Sequence, residues 1–178
     1  MASYAGQVDL AATKLYTVIF PMEGDGADRR LLLGLKKRGM GMGLWNGFGG
    51  KPEPGETLDA CARRELQEEC GLRARDLRYV GVLLMACAGH RDMAIFVYTA
   101  HDLVGDVVES DEMQPQWFLE AAVPYASCHP EAPLWWPAML VGERFVARFV
   151  FDDADGIEHD IQRADDAQLA GLLALAQP

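Results

Sequence analysis

The sequence lacks any apolar run long enough to span a membrane. Cysteine is scarce too: the chain has four, with no CxxC pair and no spacing typical of a metal site. We therefore expect a reduced intracellular compartment, the cytoplasm in the first place, with Cys61 and Cys87 as small core residues. The first residues show neither the apolar segment of a secretory signal nor an Arg-rich amphipathic pattern, so no targeting segment is expected.

Positive charge is in short supply. The chain carries 16 Lys and Arg against 27 Asp and Glu, for a net charge of −11. Long nucleic acids bind to basic tracks, so this balance disfavours them as partners. A small phosphate ligand remains compatible with it, because a bound metal ion reverses the local field. We expect no membrane partner and a monomer.

Half of the residues are hydrophobic, and the length suits one domain with its own core. Residues 1–13 are small and polar and are predicted to form a loose segment before a single domain over 14–178. Strands are predicted at 15–20, 31–37, 45–48, 77–87, 92–100, 114–119, 144–151 and 156–162. Helices are predicted at about 57–70, 133–142 and 165–176. This mixture of hairpins and crossovers predicts an α/β/α sandwich around a mixed sheet.

The most informative stretch is 49–72, GGKPEPGETLDACARRELQEECGL. A glycine turn leads into a predicted helix, with Thr57 as a candidate N-cap or first-turn residue and Gly71 as the stop. At 100° per residue the inward stripe starts apolar and then turns acidic. Its members are Leu58, Cys61 and Ala62, followed by Glu65, Glu69 and, at the edge, Glu68.

Acids at positions where a core is expected require an explanation. An ordinary cluster of glutamates lies on a solvated helix face, and that alternative applies here too. Crowded carboxylates repel one another and resist burial, and a bound divalent cation would relieve both costs. Oxygen ligands of this kind suit Mg²⁺, or Mn²⁺, rather than Zn²⁺.

The same stretch resembles the Nudix box at every position that the motif specifies. The matching residues are Gly50, Glu56, Arg64, Glu65, Leu66, Glu68, Glu69, Gly71 and Leu72. The resemblance implies the Nudix α/β/α fold and a Mg²⁺-dependent hydrolase of nucleoside diphosphates linked to another group. It also implies metal ligation by Glu65, Glu68 and Glu69 with the Gly49 carbonyl nearby, and an orienting role for Arg64 through a neighbouring glutamate.

The resemblance extends over about 14–162 and is greatest to the oxidised purine nucleoside triphosphate hydrolases, the 8-oxo-dGTP diphosphatases. The stretches that carry it include LYTV, LLGLKKRG, WNGFGGK, ARRELQEE and VESDEM. It implies that Glu112 is a further metal-site oxygen and candidate general base, and that Asn46 reads the purine edge. The other residues that it assigns to substrate binding are Thr17, Lys36, Phe48, Gly49, Gly50, Lys51 and Met113.

Three of these residues also have simpler interpretations. Glu112 has the surroundings of an ordinary loop residue, and Lys36 could serve only to protect an edge strand from aggregation. Asn46 precedes Gly47 and could simply form a turn.

One departure from the family pattern falls on specificity. In the family a Trp stacks on the base, two residues before a pair of Asp residues, and here those positions are His129, Glu131 and Ala132. His129 and Glu131 are kept as substrate-binding candidates, although His129 could equally be a loop residue. Aromatic positions of the family pocket are Met40, Met85 and Cys87 here. Met-rich surfaces adapt to several shapes, so we expect weaker discrimination between purine lesions.

These residues predict hydrolysis of oxidised purine nucleoside triphosphates to monophosphate and pyrophosphate, which sanitises the nucleotide pool and limits DNA damage. Glu65, Glu68, Glu69 and Glu112 are the predicted catalytic residues. A Nudix hydrolase of broader or different nucleotide specificity is the first alternative. mRNA decapping is disfavoured by the missing basic groove, and a nucleotide-binding module without turnover is disfavoured by the intact set of acids.

Overall fold

Eight strands form one mixed sheet in the computed structural model of the chain, which describes residues 13–87, 92–151 and 156–177. The strands are β1 (Lys14–Glu23), β2 (Arg30–Lys36), β3 (Trp45–Asn46), β4 (Arg73–Cys87), β5 (Met93–Val104), β6 (Met113–Leu119), β7 (Phe145–Phe151) and β8 (Ile157–Arg163). The helices are α1 (Leu58–Cys70), α2 (Ala132–Leu140) and α3 (Asp166–Leu175). None of the described helices has the length and apolar character needed to cross a membrane.

The strand order is β3-β2-β1-β5-β4-β7-β8, with β6 paired to β2. Two neighbouring pairs, β1 with β5 and β4 with β7, are parallel, and the other pairs are antiparallel. Helices cover both faces of the sheet. On β1, Ile19 packs in the cluster that contains α1 and α3 residues, whereas Val18 and Phe20 pack in the cluster that contains α2. The predicted α/β/α sandwich is therefore confirmed.

Strands β1 and β2 separate soon after their turn, and the glycine turn enters the gap. Their ladder contains only the pairs Met22 with Leu31 and Glu23 with Arg30. Further along β1, the backbone of Ile19 exchanges hydrogen bonds of 2.6 and 2.9 Å with that of Phe48. The Thr17 N–H donates to the Gly50 carbonyl at 2.8 Å. The turn before α1 is thus attached to a central strand.

The start and end of α1 follow the local chemistry that the sequence predicts. The Thr57 hydroxyl accepts from the Ala60 N–H at 3.2 Å and caps the helix. Gly71 ends it in the left-handed conformation with φ of 79°. The prediction that acids continue the inward stripe of α1 holds for Glu69, which is buried. Glu68, predicted at the edge of the stripe, is 58% exposed.

The largest errors in the predicted strand boundaries are at β4 and β5. Strand β4 begins at Arg73 rather than at residue 77, and β5 runs to Val104 rather than ending at residue 100. Arg73 pairs with Val104, so the hairpin continues beyond the apolar part of both strands. Backbone hydrogen bonds between β4 and β5 form this extension, and the hydrophobic pattern of the sequence does not predict it. Residues 1–12 of the predicted loose segment 1–13 lie outside the described residues, and so does the Cys87 side chain. The extent of the domain, 14–178, stays a prediction.

Two tyrosines next to α1, buried Tyr98 and partly buried Tyr79, differ in their hydrogen bonding. The Tyr98 hydroxyl donates to Asp59 Oδ1 in the first turn of α1 at 2.8 Å. The buried Tyr79 hydroxyl has no hydrogen-bond partner among the described residues. The rings are neighbours, with centroids 5.5 Å apart.

We expect Tyr98→Phe to lower the free energy of unfolding by about 1 kcal/mol, because it removes a hydrogen bond to a carboxylate. Tm should then fall by about 2–4 °C. Tyr79→Phe is the matched control and should leave Tm unchanged or higher, because it removes a hydroxyl that the fold leaves unpaired. Thermal unfolding followed by circular dichroism distinguishes the two. Equal losses in both variants would mean that the Tyr98–Asp59 hydrogen bond does not stabilise the fold.

Candidate active site

The glycine turn approaches α1 more closely than any other residue type would allow. Gly49 has φ of 149°, and a Cβ there would lie 2.1 Å from the Thr17 carbonyl oxygen. A Cβ on Gly50 would lie 2.4 Å from Glu65 Oε1. This approach lets the Gly49 N–H donate to Glu69 Oε2 at 2.8 Å. The two glycines therefore bring polar backbone groups and helix carboxylates into contact.

Arg64 joins the acids of the turn and of the helix. Its guanidinium donates to both carboxylate oxygens of Glu56 at 2.9 Å, which is a bidentate pair. The same group reaches Glu65 at 2.8 Å and Glu68 at 3.1 Å. These hydrogen bonds, the one to Glu56 foremost, raise the pKa of Arg64. The prediction that Arg64 pairs with a neighbouring glutamate is confirmed.

Two carboxylates of α1 are withdrawn from water. Burial raises the pKa of Glu69, and the Gly49 N–H and Lys36 act against that rise. Burial also raises the pKa of Glu65, against the effect of Arg64. Both groups are therefore costly to ionise where they lie, and additional positive charge would stabilise them.

Glu112 joins this site from a distant part of the chain. It lies just before β6, and the ladder between β2 and β6 places Met113 opposite Lys36. The Lys36 ammonium lies 3.0 Å from Glu112 Oε2 and 3.0 Å from Glu69 Oε1. Hydrogen bonds from Lys36 and then from Arg38 lower the pKa of Glu112. The carboxylate is therefore ionised at neutral pH.

The donor set suits a hard cation. The groups that could hold it are the carboxylates of Glu65, Glu68, Glu69 and Glu112 and the Gly49 carbonyl, which are all oxygen donors of the kind that Mg²⁺ prefers. Within 13–87, 92–151 and 156–177, no three His, Cys, Asp or Glu side chains converge in a preformed metal site. The carboxylates of Glu65, Glu68, Glu69 and Glu112 are instead paired with Lys36, Arg38 and Arg64.

Several predicted substrate residues lie beneath or beside the turn. Thr17 is buried, with its hydroxyl 3.5 Å from the Cys61 sulfur. Phe48 and Met113 are buried in the same core cluster. Lys51 lies outside, its ammonium 5.5 Å from the centre of the Tyr16 ring. The structure thus brings Phe48 and Met113 together next to Gly34, and joins Thr17 to the turn through Gly50.

The side chain of Asn46 makes the contact expected of a turn residue. Its Oδ1 accepts from the Gly47 N–H at 2.9 Å. This hydrogen bond orients the amide and leaves its two N–H groups available as donors. Its role in reading a base stays a prediction.

His129 and Glu131 lie near one another at the start of α2. A Cβ on Gly41 would lie 2.8 Å from His129 Nε2, so His129 abuts the loop between β2 and β3. Glu131 is only 8% exposed, and its carboxylate has no hydrogen bond or ion pair among the described residues. Trp135, one helical turn on, buries its indole N–H without a partner in that part of the chain. The Glu131 carboxylate oxygens are not among the fully buried unpaired atoms, so a polar ligand can reach them.

The substituted pocket positions fall in different surroundings. Ala132 is buried in the α2 cluster, as is Met85, whereas Met40 is 72% exposed on the loop between β2 and β3. Trp135 and Trp136 pack against Phe20 as core residues, with ring centroids 5.7 and 5.0 Å apart.

Residues 15–136 match the NUDIX domain. The chain belongs to the NUDIX domain family. It is 39% identical to the oxidised purine nucleoside triphosphate hydrolase of Mus musculus, over 83% of this chain and 93% of that protein. It is 40% identical to the protein of the same name from Danio rerio, over 86% of this chain and 97% of that protein. Family and relatives together make this protein a hydrolase, as the sequence motif predicts.

The fold comparison agrees with the family assignment. The crystal structure of the mutator MutT protein from Bacillus halodurans superimposes with a TM-score of 0.72 at 20% identity. The match covers 84% of this chain and 97% of that one. At this identity the likeness concerns the fold alone.

Sequence reasoning missed two residues that shape the site. Arg38 is not among the predicted site residues, yet it donates to Glu112 Oε1 at 2.7 Å. Gly34 lies inside β2, where a Cβ would be 2.8 Å from the Met113 sulfur and 3.0 Å from Phe48. A lone glycine within an apolar strand indicates such a close approach. The sequence LLLGLK could therefore have predicted a close contact at Gly34.

We expect Gly50→Ala to lower hydrolase turnover by about a hundredfold, because the added methyl displaces the Glu65 carboxylate. The fold should survive, since the group that must move is the end of a flexible side chain. Gly171→Ala is the control, because a Cβ there meets nothing within 4 Å. Product release from nucleotides and Tm are the measurements. Full turnover in Gly50→Ala would show that the close approach of Gly50 to Glu65 is dispensable.

Proposed function

We propose that this hydrolase acts on oxidised purine nucleoside triphosphates of the 8-oxo-dGTP type, releasing monophosphate and pyrophosphate. The observation that carries the proposal is the near-full-length similarity to vertebrate enzymes named for that activity. The acids that converge from α1 and from the start of β6 support it, because triphosphate hydrolysis needs them together. The substrate is a small nucleotide, and the expected compartment is the cytoplasm.

A divalent cation, Mg²⁺ or alternatively Mn²⁺, is part of the proposal. Glu65, Glu68, Glu69, Glu112 and the Gly49 carbonyl would hold it. When bound, such an ion neutralises phosphate charge and makes water more acidic. The raised pKa values of partly buried Glu65 and buried Glu69 support this assignment, because a cation stabilises their ionised forms.

Glu112 is the group best suited to take the proton of the attacking water. Its lowered pKa keeps it ionised, and it is exposed enough for water to reach it. Attack on phosphorus breaks one bridging P–O bond, and the proton passes to the carboxylate. Glu69 and Glu65 remain candidates for the same role, since both carboxylates lie in this site.

The base is proposed to lie among Asn46, His129 and Glu131. The free N–H groups of the Asn46 amide can donate to a purine oxygen or nitrogen. The Glu131 carboxylate, on a residue only 8% exposed, can accept from a base N–H, because it has no hydrogen bond or ion pair among the described residues. Thr17, Phe48 and Met113 support this pocket from below, and Lys36, Gly49, Gly50 and Lys51 serve the phosphates.

A broader nucleotide hydrolase is the second candidate. Ala132 presents a buried methyl where the family has an acid, and exposed Met40 replaces a pocket Phe. Both changes remove features that fix the orientation of one base, which favours wider substrate acceptance.

We expect Glu69→Gln to lower kcat for 8-oxo-dGTP by about two orders of magnitude, as loss of a key charged group does. The amide can still accept from the Gly49 N–H, so circular dichroism should report a folded protein. Glu158→Gln, at an exposed position on β8, is the charge-matched control and should retain full activity. Near-normal turnover by Glu69→Gln would remove this residue from the mechanism. A wild-type protein inactive on every oxidised purine triphosphate would refute the substrate assignment.

We expect Ala132→Asp to raise the preference for 8-oxo-dGTP over dGTP by about one to two decades in kcat/KM, through one added hydrogen bond to the base. Ala132→Asn has the same size without the charge and should change the ratio less. Kinetics with 8-oxo-dGTP, 2-hydroxy-dATP and dGTP, checked against Tm for each variant, measure the effect. Unchanged ratios in a folded Ala132→Asp would assign specificity to another part of the pocket.

A further inference from the structure

Lys36 has an unusual position for a lysine at the end of a strand. Its ammonium is 3.0 Å from Glu69 Oε1 and 3.0 Å from Glu112 Oε2, and the side chain is only 17% exposed. The two acids come from α1 and from the start of β6. In the described part of the chain, Lys36 is the cation that bridges them, while Arg64 pairs with Glu56, Glu65 and Glu68.

A divalent cation would need the same carboxylate oxygens. Mg²⁺ and Mn²⁺ bind oxygen ligands at about 2.1 Å, much closer than an ammonium hydrogen bond allows. Once the ion is bound, an ammonium in its present place would face a doubly charged neighbour at short range in a poorly solvated site. The lysine and the ion therefore compete for Glu69 and Glu112.

We propose that Lys36 is an internal counter-ion that occupies the acidic site until a divalent cation displaces it, and so sets the metal affinity of the protein. The inference rests on the proposed function, because that assigns the cation to these acids. The Lys36 ammonium supplies positive charge next to the buried Glu69 carboxylate. Displacement frees Lys36 to contact an anionic substrate.

The chain offers a close control for this idea. Lys37 is the next residue, and its ammonium contacts Glu109 Oε1 and the Ser110 carbonyl, both at 2.7 Å, rather than Glu69 or Glu112. Lys36→Met and Lys37→Met change the net charge equally. Any difference between them in metal binding therefore reports the position of the lost ammonium rather than the overall charge of the protein.

The experiment is a titration of the full chain with Mn²⁺ alone. Binding is measured by calorimetry and by electron paramagnetic resonance of the free Mn²⁺. We expect Lys36→Met to bind Mn²⁺ about tenfold more tightly than wild type, and Lys37→Met to change the Kd by less than about threefold. Equal Kd values for the two variants, weaker binding by Lys36→Met, or no Mn²⁺ binding by folded Lys36→Met would each overturn the proposal.

A second measurement uses the wild-type protein and does not depend on a variant that folds. Brief acylation with acetic anhydride, read by peptide mass spectrometry, reports how accessible each lysine amine is. With saturating Mn²⁺ we expect labelling of Lys36 to rise severalfold relative to Lys37. An unchanged ratio at saturating Mn²⁺ would show that the ion does not displace Lys36.

The two proposals fail in different ways. If wild type hydrolyses 8-oxo-dGTP while both methionine variants bind Mn²⁺ alike, only the counter-ion role of Lys36 is refuted. If no oxidised purine triphosphate is hydrolysed but Lys36→Met binds Mn²⁺ more tightly, the substrate assignment fails and the counter-ion role stands.

Discussion

The burial of two glutamates on one helix is the constraint around which this site is built. Glu65 and Glu69 would be costly to ionise in isolation, and the surrounding groups supply the compensation. The Gly49 N–H and Lys36 do so for Glu69, and Arg64 does so for Glu65. Each of these groups requires a particular backbone arrangement nearby. The glycine turn, the end of β2 and the second half of α1 therefore form one unit.

The separation of β1 and β2 makes that unit possible. If the two strands had stayed paired along their length, no backbone edge would have been open to the turn at 48–50. On its other edge, β2 pairs with β6 from Arg30 to Lys36, which brings Glu112 beside Lys36. The open part of β1 thus receives the turn, and the other edge of β2 positions the distant acid. The sheet acts as the frame that relates parts of the site contributed by separate segments.

Charge is handled differently on the two faces of the sheet. On the α1 face, the carboxylates of Glu65, Glu68, Glu69 and Glu112 are paired with lysine or arginine. On the α2 face, the Trp135 indole N–H is buried without a partner and the Glu131 carboxylate has no hydrogen bond or ion pair, both among the described residues. The first arrangement suits phosphate chemistry and the second suits recognition of a polar ring. A nucleotide is a ligand that has both parts.

Local sequence determined the elements and the chemistry of the box. Alternating apolar residues, the Thr57 cap and the Gly71 stop are short-range signals, and they predicted α1 and the sandwich correctly. The acid spacing on α1 likewise needs only the helical period. The tertiary structure decided the rest, because strand pairing joins residues far apart in the chain. It brought Glu112 to Lys36 and Arg38, made Gly34 a contact point for Met113 and Phe48, and buried Glu131 without a partner among the described residues.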